Sequence, residues 1–135
     1  MSILYLAAPY SKGDAETRLA RFQAVTQVAA RLIEQKIVVF SPVTMTHPID
    51  LVLASEGETL GSDYWVTFDE MFMNICSEIA VLMLPGWQVS SGVGREIEFF
   101  KNRGSTVKFL RPEDYGISGD YPKFRAAFEY ASDRG

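Results

Sequence analysis

The chain has 135 residues, of which 47% are hydrophobic and 22% charged, and its 13 basic and 17 acidic side chains leave a formal net charge of −4. This composition is typical of a single soluble globular domain, here residues 1–135, and excludes disordered, collagen-like and coiled-coil chains. The basic residues are scattered among acidic ones, whereas proteins that bind a nucleic-acid polymer present a clustered basic face.

Strand-like and helix-like segments alternate along the chain. Short apolar runs predict strands, and apolar residues that recur every three or four positions predict helices. In chain order the sequence predicts a strand at residues 3–8, a helix at 14–35, a strand at 37–40, a helix at 62–76, a central strand at 79–84, a helix at 93–103, a strand at 106–110 and a helix at 122–133. Residues 43–61 show no clear period and are predicted to be irregular, with room for a short helix near residues 51–55.

The alternation of strands and helices predicts an α/β fold. Parallel strands joined by right-handed crossovers form a sheet that helices cover on both faces. Ligands of such sheets bind at the carboxyl ends of the strands, near the point where the strand order reverses. The segments expected there are residues 8–14, 41–48 and 85–96, which are all rich in Gly, Ser, Pro and aromatic residues.

Cysteine content and the N-terminus bear on the cellular compartment. Cys76 is the only cysteine, so no intrachain disulfide can form, which favours a reducing cytoplasm. Residues 1–11 lack the basic region of a signal peptide, and the longest apolar run, residues 79–87, is far shorter than the ~20 residues that span a bilayer. We therefore expect a cytoplasmic protein that has no membrane partner.

The strongest local pattern lies at residues 85–100. Gly92 and Gly94 are expected to let the backbone turn tightly into a helix and to let a ligand approach closely. Ser90 and Ser91 lie where that helix begins, and its free N–H groups and dipole favour an anion. Glu96 is expected in the first helical turn, where the same dipole would hold it ionised, as a nucleophilic carboxylate requires. The alternative is an ordinary first-turn acidic residue that adds only about a few tenths of a kcal/mol to stability.

Asp69 is a second candidate carboxylate. It shares a helix face with three largely apolar residues, Trp65, Phe72 and Cys76. A carboxylate on a core-facing stripe is costly unless it is paired or functional, and the alternatives are a position that reaches solvent past Phe68 or a helix-capping contact elsewhere. Asp69 and Glu96 flank the predicted central strand, and a pair of carboxylates is what the cleavage of a glycosidic bond needs.

Three aromatic residues are further candidates. Tyr5 lies inside the first strand, and its buried hydroxyl either reaches Glu96, if the first and third strands are neighbours, or simply packs in the core. Trp65 and Trp87 either stack on a planar base or pack in the core or at its rim.

Metal and dinucleotide sites are not expected. His47 is the only histidine, so no Cys/His metal cluster and no obvious Ser-His-Asp triad exists, and we interpret it as a solvated loop residue with a ligand contact as the alternative. Residues 92–97 half-match the dinucleotide fingerprint, but Ile97 replaces its third glycine, and the turn follows the third predicted strand. The sequence therefore predicts neither a metal nor a cofactor.

Taken together, these motifs resemble the nucleoside 2-deoxyribosyltransferase-like superfamily. The resemblance is carried by the strand with YLAAPYS (residues 5–11), by Trp65-x-x-x-Asp69, by the apolar strand before Pro85, and by Ser90-x-Gly92-x-Gly94-x-Glu96. The closest resemblance is to the small bacterial and phage branch with a P-G-W-x-x-S motif. The superfamily includes deoxyribosyltransferases and 2′-deoxynucleoside 5′-phosphate N-hydrolases.

The resemblance implies a fold, a reaction and roles for single residues. The fold is a flavodoxin-like or Rossmann-like three-layer sandwich with a parallel sheet of 4–5 strands. The reaction is cleavage or transfer at the N-glycosidic bond of a (deoxy)nucleoside or nucleoside 5′-monophosphate. Glu96 matches the nucleophile, Asp69 the acid that assists the departing base, and Tyr5 the residue that orients the nucleophile. The substrate-binding residues implied are Pro9, Tyr10, Ser11, Trp87, Ser90, Ser91, Gly92 and Gly94, of which Ser90 and Gly92 match positions that hold a 5′-phosphate.

The resemblance also implies a homo-oligomer, and the cluster of Met71, Phe72 and Met73 is a candidate contact. The loop after the first strand lacks the arginine of the nucleotide hydrolases, and Lys12 or Ser11 is the candidate replacement. A binding module that senses a nucleotide or a sugar without turnover is the competing hypothesis.

Overall fold

A computed structural model of the chain describes residues 2–118. Within them lie four strands and four α-helices, with two consecutive helices between the second and third strands. The strands are β1 (Leu4–Ala7), β2 (Val39–Phe40), β3 (Glu78–Leu82) and β4 (Val107–Leu110). The helices are α1 (Ala15–Glu34), α2 (Pro42–Ser55), α3 (Ser62–Ile75) and α4 (Ser91–Asn102). The predicted helix at residues 122–133 lies outside the described residues.

The sheet is parallel throughout, with the strand order β2-β1-β3-β4. The chain passes from β1 outward to β2 and then returns to β3 on the opposite side of β1. The strand order therefore reverses between β1 and β3, and the carboxyl ends of these two strands mark the expected ligand position. This architecture confirms the predicted α/β fold and is consistent with a flavodoxin-like or Rossmann-like sandwich of three layers.

Alternation of side chains along β1 and β3 divides the core into two halves. Leu4 and Leu6 face the half that α1 and α2 cover, whereas Tyr5 and Ala7 face the half that α3 and α4 cover. The first half is almost purely aliphatic, with Val25, Val28 and Leu32 of α1 packed on the sheet. The second half contains Met73, Val93 and Phe100, and it surrounds the hydroxyl of Tyr5. We call these the α1/α2 face and the α3/α4 face.

Helix α2 corrects the prediction that residues 43–61 are irregular. Ser41 precedes the helix, and Pro42 occupies its first position, where a missing N–H costs nothing. Buried and exposed apolar residues occur on several sides of α2, so no single stripe reveals it; Val43 is buried, whereas Leu51 and Val52 are more than half exposed. Pro48 inside the helix further masks the pattern.

None of the helices in residues 2–118 is both long enough and apolar enough to cross a membrane.

Candidate functional site

A small open pocket of about 120 Å³ lies where the strand order reverses. Its walls come from the loop after β1, from α1 and from the segment between β3 and α4. The lining residues are Pro9, Tyr10, Ser11, Lys12, Arg21, Gly86, Val89, Ser90 and Ser91. Five of these, Pro9, Tyr10, Ser11, Ser90 and Ser91, are predicted substrate-binding residues.

The amino end of α4 forms one side of the pocket. The Ser90 hydroxyl accepts a hydrogen bond from the Val93 N–H at 3.2 Å, so Ser90 caps the helix. The capped first turn points its positive dipole end towards the pocket, which favours an anionic or polar ligand group.

Gly86, rather than Gly92 or Gly94, makes the tight turn before α4. Gly86 has a φ of +91°, which side-chain-bearing residues rarely adopt. Gly92 and Gly94 lie inside α4, so the prediction that they turn the backbone is wrong. A Cβ added at Gly94 meets nothing within 4 Å, and one at Gly92 comes no closer than 3.9 Å to the Ser90 hydroxyl. Both glycines leave open space over the first turns of α4, and neither lines the pocket.

Arg21 is a pocket residue that the sequence analysis missed. Its guanidinium donates to the backbone oxygen of Tyr10 at 3.2 Å and to that of Lys12. These bonds tie the loop after β1 to α1 and place a positive charge beside the pocket. A helix residue seven positions after the loop has no local sequence signal of this role, because the contact depends on how α1 packs.

Tyr5 and Glu96 form a buried pair on the α3/α4 face. The Tyr5 hydroxyl, which is fully buried, donates to Oε2 of Glu96. Glu96 is only 6% exposed. The sequence predicts Glu96 in the first turn of the helix. Because α4 begins at Ser91, Glu96 lies in the second turn instead. The sequence predicts this contact if the first and third strands are neighbours, and β1 and β3 do pair.

Burial, rather than the helix dipole, controls the charge of Glu96. Desolvation is the largest of the causes that together bring the pKa of Glu96 up to about 7; the nearby charge of Asp69 also raises it, whereas the Tyr5 hydrogen bond and the charge of Arg95 lower it. The prediction that the dipole holds Glu96 ionised is therefore wrong, because the dipole acts mainly on the first turn. Burial thus favours the protonated form of this carboxyl. Burial also raises the pKa of Tyr5 well above its usual value, so its hydroxyl remains a donor.

Asp69 of α3 approaches the same pair. Its charge raises the pKa of both Tyr5 and Glu96, which requires it to lie near them. The side chain is half-buried, and within residues 2–118 its buried Oδ1 has no hydrogen-bond partner. Burial raises the pKa of Asp69 to about 6, against the lowering effect of Arg95. Two carboxyls with raised pKa values thus share one region.

The two tryptophans contact protein side chains. The Trp87 ring packs at 5.4 Å from Phe109 and does not line the pocket. Trp65 packs edge-on against Tyr64 and Phe68 on α3, at 5.1 and 5.5 Å between ring centroids. Neither ring therefore forms part of the pocket wall.

His47 occupies a different environment from the predicted one. It lies on α2, is only 3% exposed, and contacts Tyr10, so its interpretation as a solvated loop residue is wrong. Within residues 2–118, no group of three or more His, Cys, Asp or Glu side chains is placed to hold a metal ion.

The predicted contact cluster at residues 71–73 divides between surface and core. Met71 is 69% exposed, whereas Met73 is buried and Phe72 stacks on Phe40 at 4.2 Å. Only Met71 of the three is mostly exposed.

The chain matches the family described as Domain of unknown function (DUF1937) over residues 2–111. The chain belongs to the DUF1937 family. The DUF1937 match includes every residue of the pocket and of the carboxyl pair. The comparison with curated proteins gives no match to this chain. The family description names no reaction, so the activity has to be argued from the site.

Proposed function

We propose that the protein cleaves or transfers at the N-glycosidic bond of a (deoxy)nucleoside or nucleoside 5′-monophosphate. In the first step a Glu96 oxygen bonds to the sugar C1′ as the bond from C1′ to the base breaks, and Asp69 delivers a proton to the departing base. In the second step water or another base attacks C1′ and releases Glu96, while Asp69 takes up the proton of the attacking group. Charge and atoms balance in both steps.

The hydrogen bond between Tyr5 and Glu96 is the observation that carries this proposal. It fixes one oxygen of a buried carboxyl and leaves the other, Oε1, with no hydrogen bond assigned to it within residues 2–118. A fixed carboxylate with one available oxygen is what attack on a sugar carbon requires. Packing alone does not explain a buried carboxyl beside a tyrosine hydroxyl, because burial of an ionisable group is costly and an apolar side chain avoids that cost.

The raised pKa values of Asp69 and Glu96 let the two carboxyls share one proton near neutral pH. A general acid works best when its pKa lies near the working pH, and the pKa of Asp69, about 6, does so. Glu96 has the higher pKa, about 7, so the reactive form, with Glu96 ionised and Asp69 protonated, is the less populated of the two forms that hold one proton. The buried Oδ1 of Asp69, which has no hydrogen-bond partner within residues 2–118, is available for a hydrogen bond with the base of the substrate.

The pocket supports the proposed substrate class. The amino end of α4 and the side chains of Lys12 and Arg21 offer N–H groups and positive charge for a phosphate or a sugar hydroxyl. Its volume of about 120 Å³ is below the roughly 300–1,000 Å³ of sites that enclose a whole ligand. The pocket therefore accounts for one end of the nucleoside, and the rest would extend over Gly92, which precedes Glu96 by four residues and so lies on the same side of α4.

One observation favours a second candidate function, a binding module without turnover. Neither Glu96 nor Asp69 lines the pocket, so a ligand held there does not by itself meet the carboxyls. In that case the pocket binds a nucleotide or a sugar phosphate, and the carboxyl pair is structural.

The experiment is a base-release assay. The protein is incubated with the four common 2′-deoxynucleosides and their 5′-monophosphates, and free base is measured by chromatography. Wild type and the control E98Q, which changes an exposed glutamate on the same helix, should release base, whereas E96Q should fall by at least about 10³-fold. A second, unlike free base in the mixture distinguishes transfer from hydrolysis, because transfer produces a new nucleoside. Saturable binding of these compounds without base release supports the binding module instead.

We also propose a homo-oligomer that uses the outer side of α3, where Met71 and Ile75 are 69% and 62% exposed. The mass in solution, from light scattering on a sizing column, tests this. M71K should lower that mass if α3 is the contact, and a monomeric wild type contradicts the proposal.

A further inference from the structure

A second tyrosine pair, partly buried, lies on the α1/α2 face. The Tyr10 hydroxyl is 2.6 Å from Nδ1 of His47. The imidazole stacks on Phe22 with 4.5 Å between centroids and 21° between planes, and it meets the Tyr10 ring edge-on at 5.6 Å. These contacts fix the imidazole on two sides.

The chemistry of the two groups sets the direction of this hydrogen bond. Burial lowers the pKa of His47 and raises that of Tyr10 to about 12, so both are neutral near pH 7. Between two neutral groups the phenol is the stronger donor and the imidazole nitrogen the stronger acceptor, so we expect the Tyr10 hydroxyl to donate to Nδ1 with the imidazole hydrogen on Nε2, which has no partner within residues 2–118. Two charged groups also act on the pair: Asp50 of α2 raises the pKa of both His47 and Tyr10, and Arg18 of α1 lowers it.

Tyr10 connects His47 to the pocket. Tyr10 lines the pocket, whereas none of the α2 residues does. Arg21 fixes the backbone of Tyr10 through its carbonyl oxygen at 3.2 Å, and His47 fixes the side chain through its hydroxyl at 2.6 Å. A pocket wall held at both ends is pre-organised, which lowers the entropy that ligand binding has to offset.

We propose that His47 is a positioning residue that holds the Tyr10 ring as a wall of the pocket and thereby sets the affinity for the ligand. This inference rests on the proposed function for the identity of the ligand, a (deoxy)nucleoside or its 5′-monophosphate. Because Tyr10 and the carboxyl pair lie on opposite faces of the sheet, the effect falls on binding and leaves the chemical step of the bound substrate largely as it is.

A double-mutant cycle tests the inference. Y10F removes only the hydroxyl, H47F keeps a flat ring on Phe22 but removes the acceptor, and H47N retains an acceptor near the position of Nδ1. Y64F, which removes an exposed hydroxyl on α3, is the matched control. KM and kcat for base release are measured for the best of the eight compounds, and Kd for the same compound by titration calorimetry.

The inference gives specific expected values. Y10F and H47F should each raise KM and Kd about 5- to 10-fold, the loss of one hydrogen bond, with kcat within about 2-fold. The double variant should be no weaker than the weaker single variant, because both remove the same bond. H47N should recover most of the affinity, and Y64F should match wild type. Additive effects of Y10F and H47F, or unchanged KM and Kd in both, overturn the inference.

The outcomes also separate this inference from the proposed function. Binding without base release contradicts the proposed function alone, and the cycle is then read from Kd. Base release with an unaffected KM and Kd in H47F contradicts the inference alone. Neither binding nor release with all eight compounds contradicts both.

His47 also provides a readout that does not depend on ligand or folding yield. It is the only histidine in the chain, so a protein without a histidine tag gives one imidazole in a nitrogen-15 NMR spectrum. We expect the tautomer with hydrogen on Nε2 at pH 7.5 and a changed Nδ1 shift in Y10F. An imidazole with hydrogen on Nδ1, or a shift that Y10F leaves unchanged, contradicts the hydrogen bond on which the inference depends.

Discussion

Each of the two tyrosine pairs of this protein joins a phenol hydroxyl to a buried ionisable side chain. The Tyr5 hydroxyl donates to the carboxyl of Glu96 on the α3/α4 face, and the Tyr10 hydroxyl lies 2.6 Å from Nδ1 of His47 on the α1/α2 face. Burial favours the neutral form of both acceptors, so it raises the pKa of the acid and lowers that of the base. The carboxyl becomes reactive when it ionises, whereas the neutral imidazole is already the acceptor. The first pair is therefore suited to chemistry and the second to positioning.

The neighbours of the pairs make the same distinction. Asp69 adds a second carboxyl beside Tyr5 and Glu96, and the two acids disfavour each other's charge. Around Tyr10 and His47, Asp50 and Arg18 have opposite signs and oppose each other's effect on both pKa values. The α3/α4 face thus holds two acids close together, whereas on the α1/α2 face the effects of an acid and a base on the pair oppose each other.

The largest expected effect is on the proton donor. D69N removes the acidic proton while it keeps the shape of the side chain, and base release should fall about 10²- to 10³-fold. D63N, which changes an exposed acid in the first turn of the same helix, should retain wild-type rates. The measurement is kcat for base release, and an equal loss in both variants contradicts a specific role of Asp69.

The next effect compares the two tyrosines directly. Y5F leaves Glu96 without its positioning hydrogen bond, so kcat should fall about 10- to 100-fold, whereas Y10F should change kcat by less than about 2-fold. Steady-state kinetics of the two variants, after thermal unfolding has shown that both are folded, decides the matter. Similar kcat values for Y5F and Y10F abolish the distinction between the pairs.

The pH dependence of kcat/KM should be bell-shaped. The active form has Glu96 ionised and Asp69 protonated. With pKa values of about 7 and about 6, the two carboxyls together hold one proton between about pH 6 and pH 7. The rate should therefore peak between pH 6 and 7 and fall about tenfold per pH unit further out on each side. D69N should lose the fall on the alkaline side, because an amide has no proton to lose. A profile that is flat from pH 5 to pH 9 contradicts the assignment.

Stability should report the buried charge of Glu96 independently of catalysis. Folding raises its pKa from 4.5 to about 7, so the native state holds the proton more tightly, and this contribution to stability is lost as the pH rises from 4.5 through 7. E96Q removes the cost of the charge, and at pH 8 the free energy of unfolding should rise by on the order of 1–2 kcal/mol. Below pH 4.5 the difference should vanish. Urea titrations at both pH values measure it, with E98Q as the control that shows no such dependence.

The smallest effect tests whether the pocket and the carboxyl pair belong to one site. A Cβ added at Gly92, which lies on the same side of α4 as Glu96, comes no closer than 3.9 Å to the Ser90 hydroxyl, and alanine is the better helix former, so G92A should raise stability by up to about 1 kcal/mol. If the ligand passes over α4 from the pocket towards Glu96, the same methyl group should raise KM several-fold. A stabilised variant with an unchanged KM means that the ligand takes another path.

The chemistry of the α3/α4 face could be predicted from the sequence better than that of the α1/α2 face. The contact between Tyr5 and Glu96 could be predicted because Tyr5 lies inside the first strand and Glu96 on the helix after the third. In a parallel sheet these two elements meet when the first and third strands are neighbours. Asp14 precedes α1 and is of the residue type preferred at a helix N-cap, and its carboxylate accepts from the Thr17 N–H at 2.8 Å.

His47 could not be placed in the same way. Its burial depends on α2, whose apolar residues form no single stripe and whose interior contains Pro48. The signal that was available is Ser41 followed by Pro42, which is typical of a helix start as well as of a strand end. The contact of Arg21 depends on the packing of α1 and leaves no local pattern, whereas the turn at Gly86 follows Pro85, and the Pro-Gly dipeptide is a turn signal.

The most direct test of the proposed reaction is the detection of a covalent bond between Glu96 and the sugar of the substrate. Wild-type protein is mixed with the best substrate among the 2′-deoxynucleosides and 5′-monophosphates, quenched in acid within milliseconds to seconds, and analysed by intact-mass and peptide mass spectrometry. The account predicts an added mass of one deoxyribosyl or phosphodeoxyribosyl group on the peptide that contains Glu96, and no such mass in E96Q. Rapid base release by wild type with no adduct at any quench time, or an adduct on another residue, contradicts it.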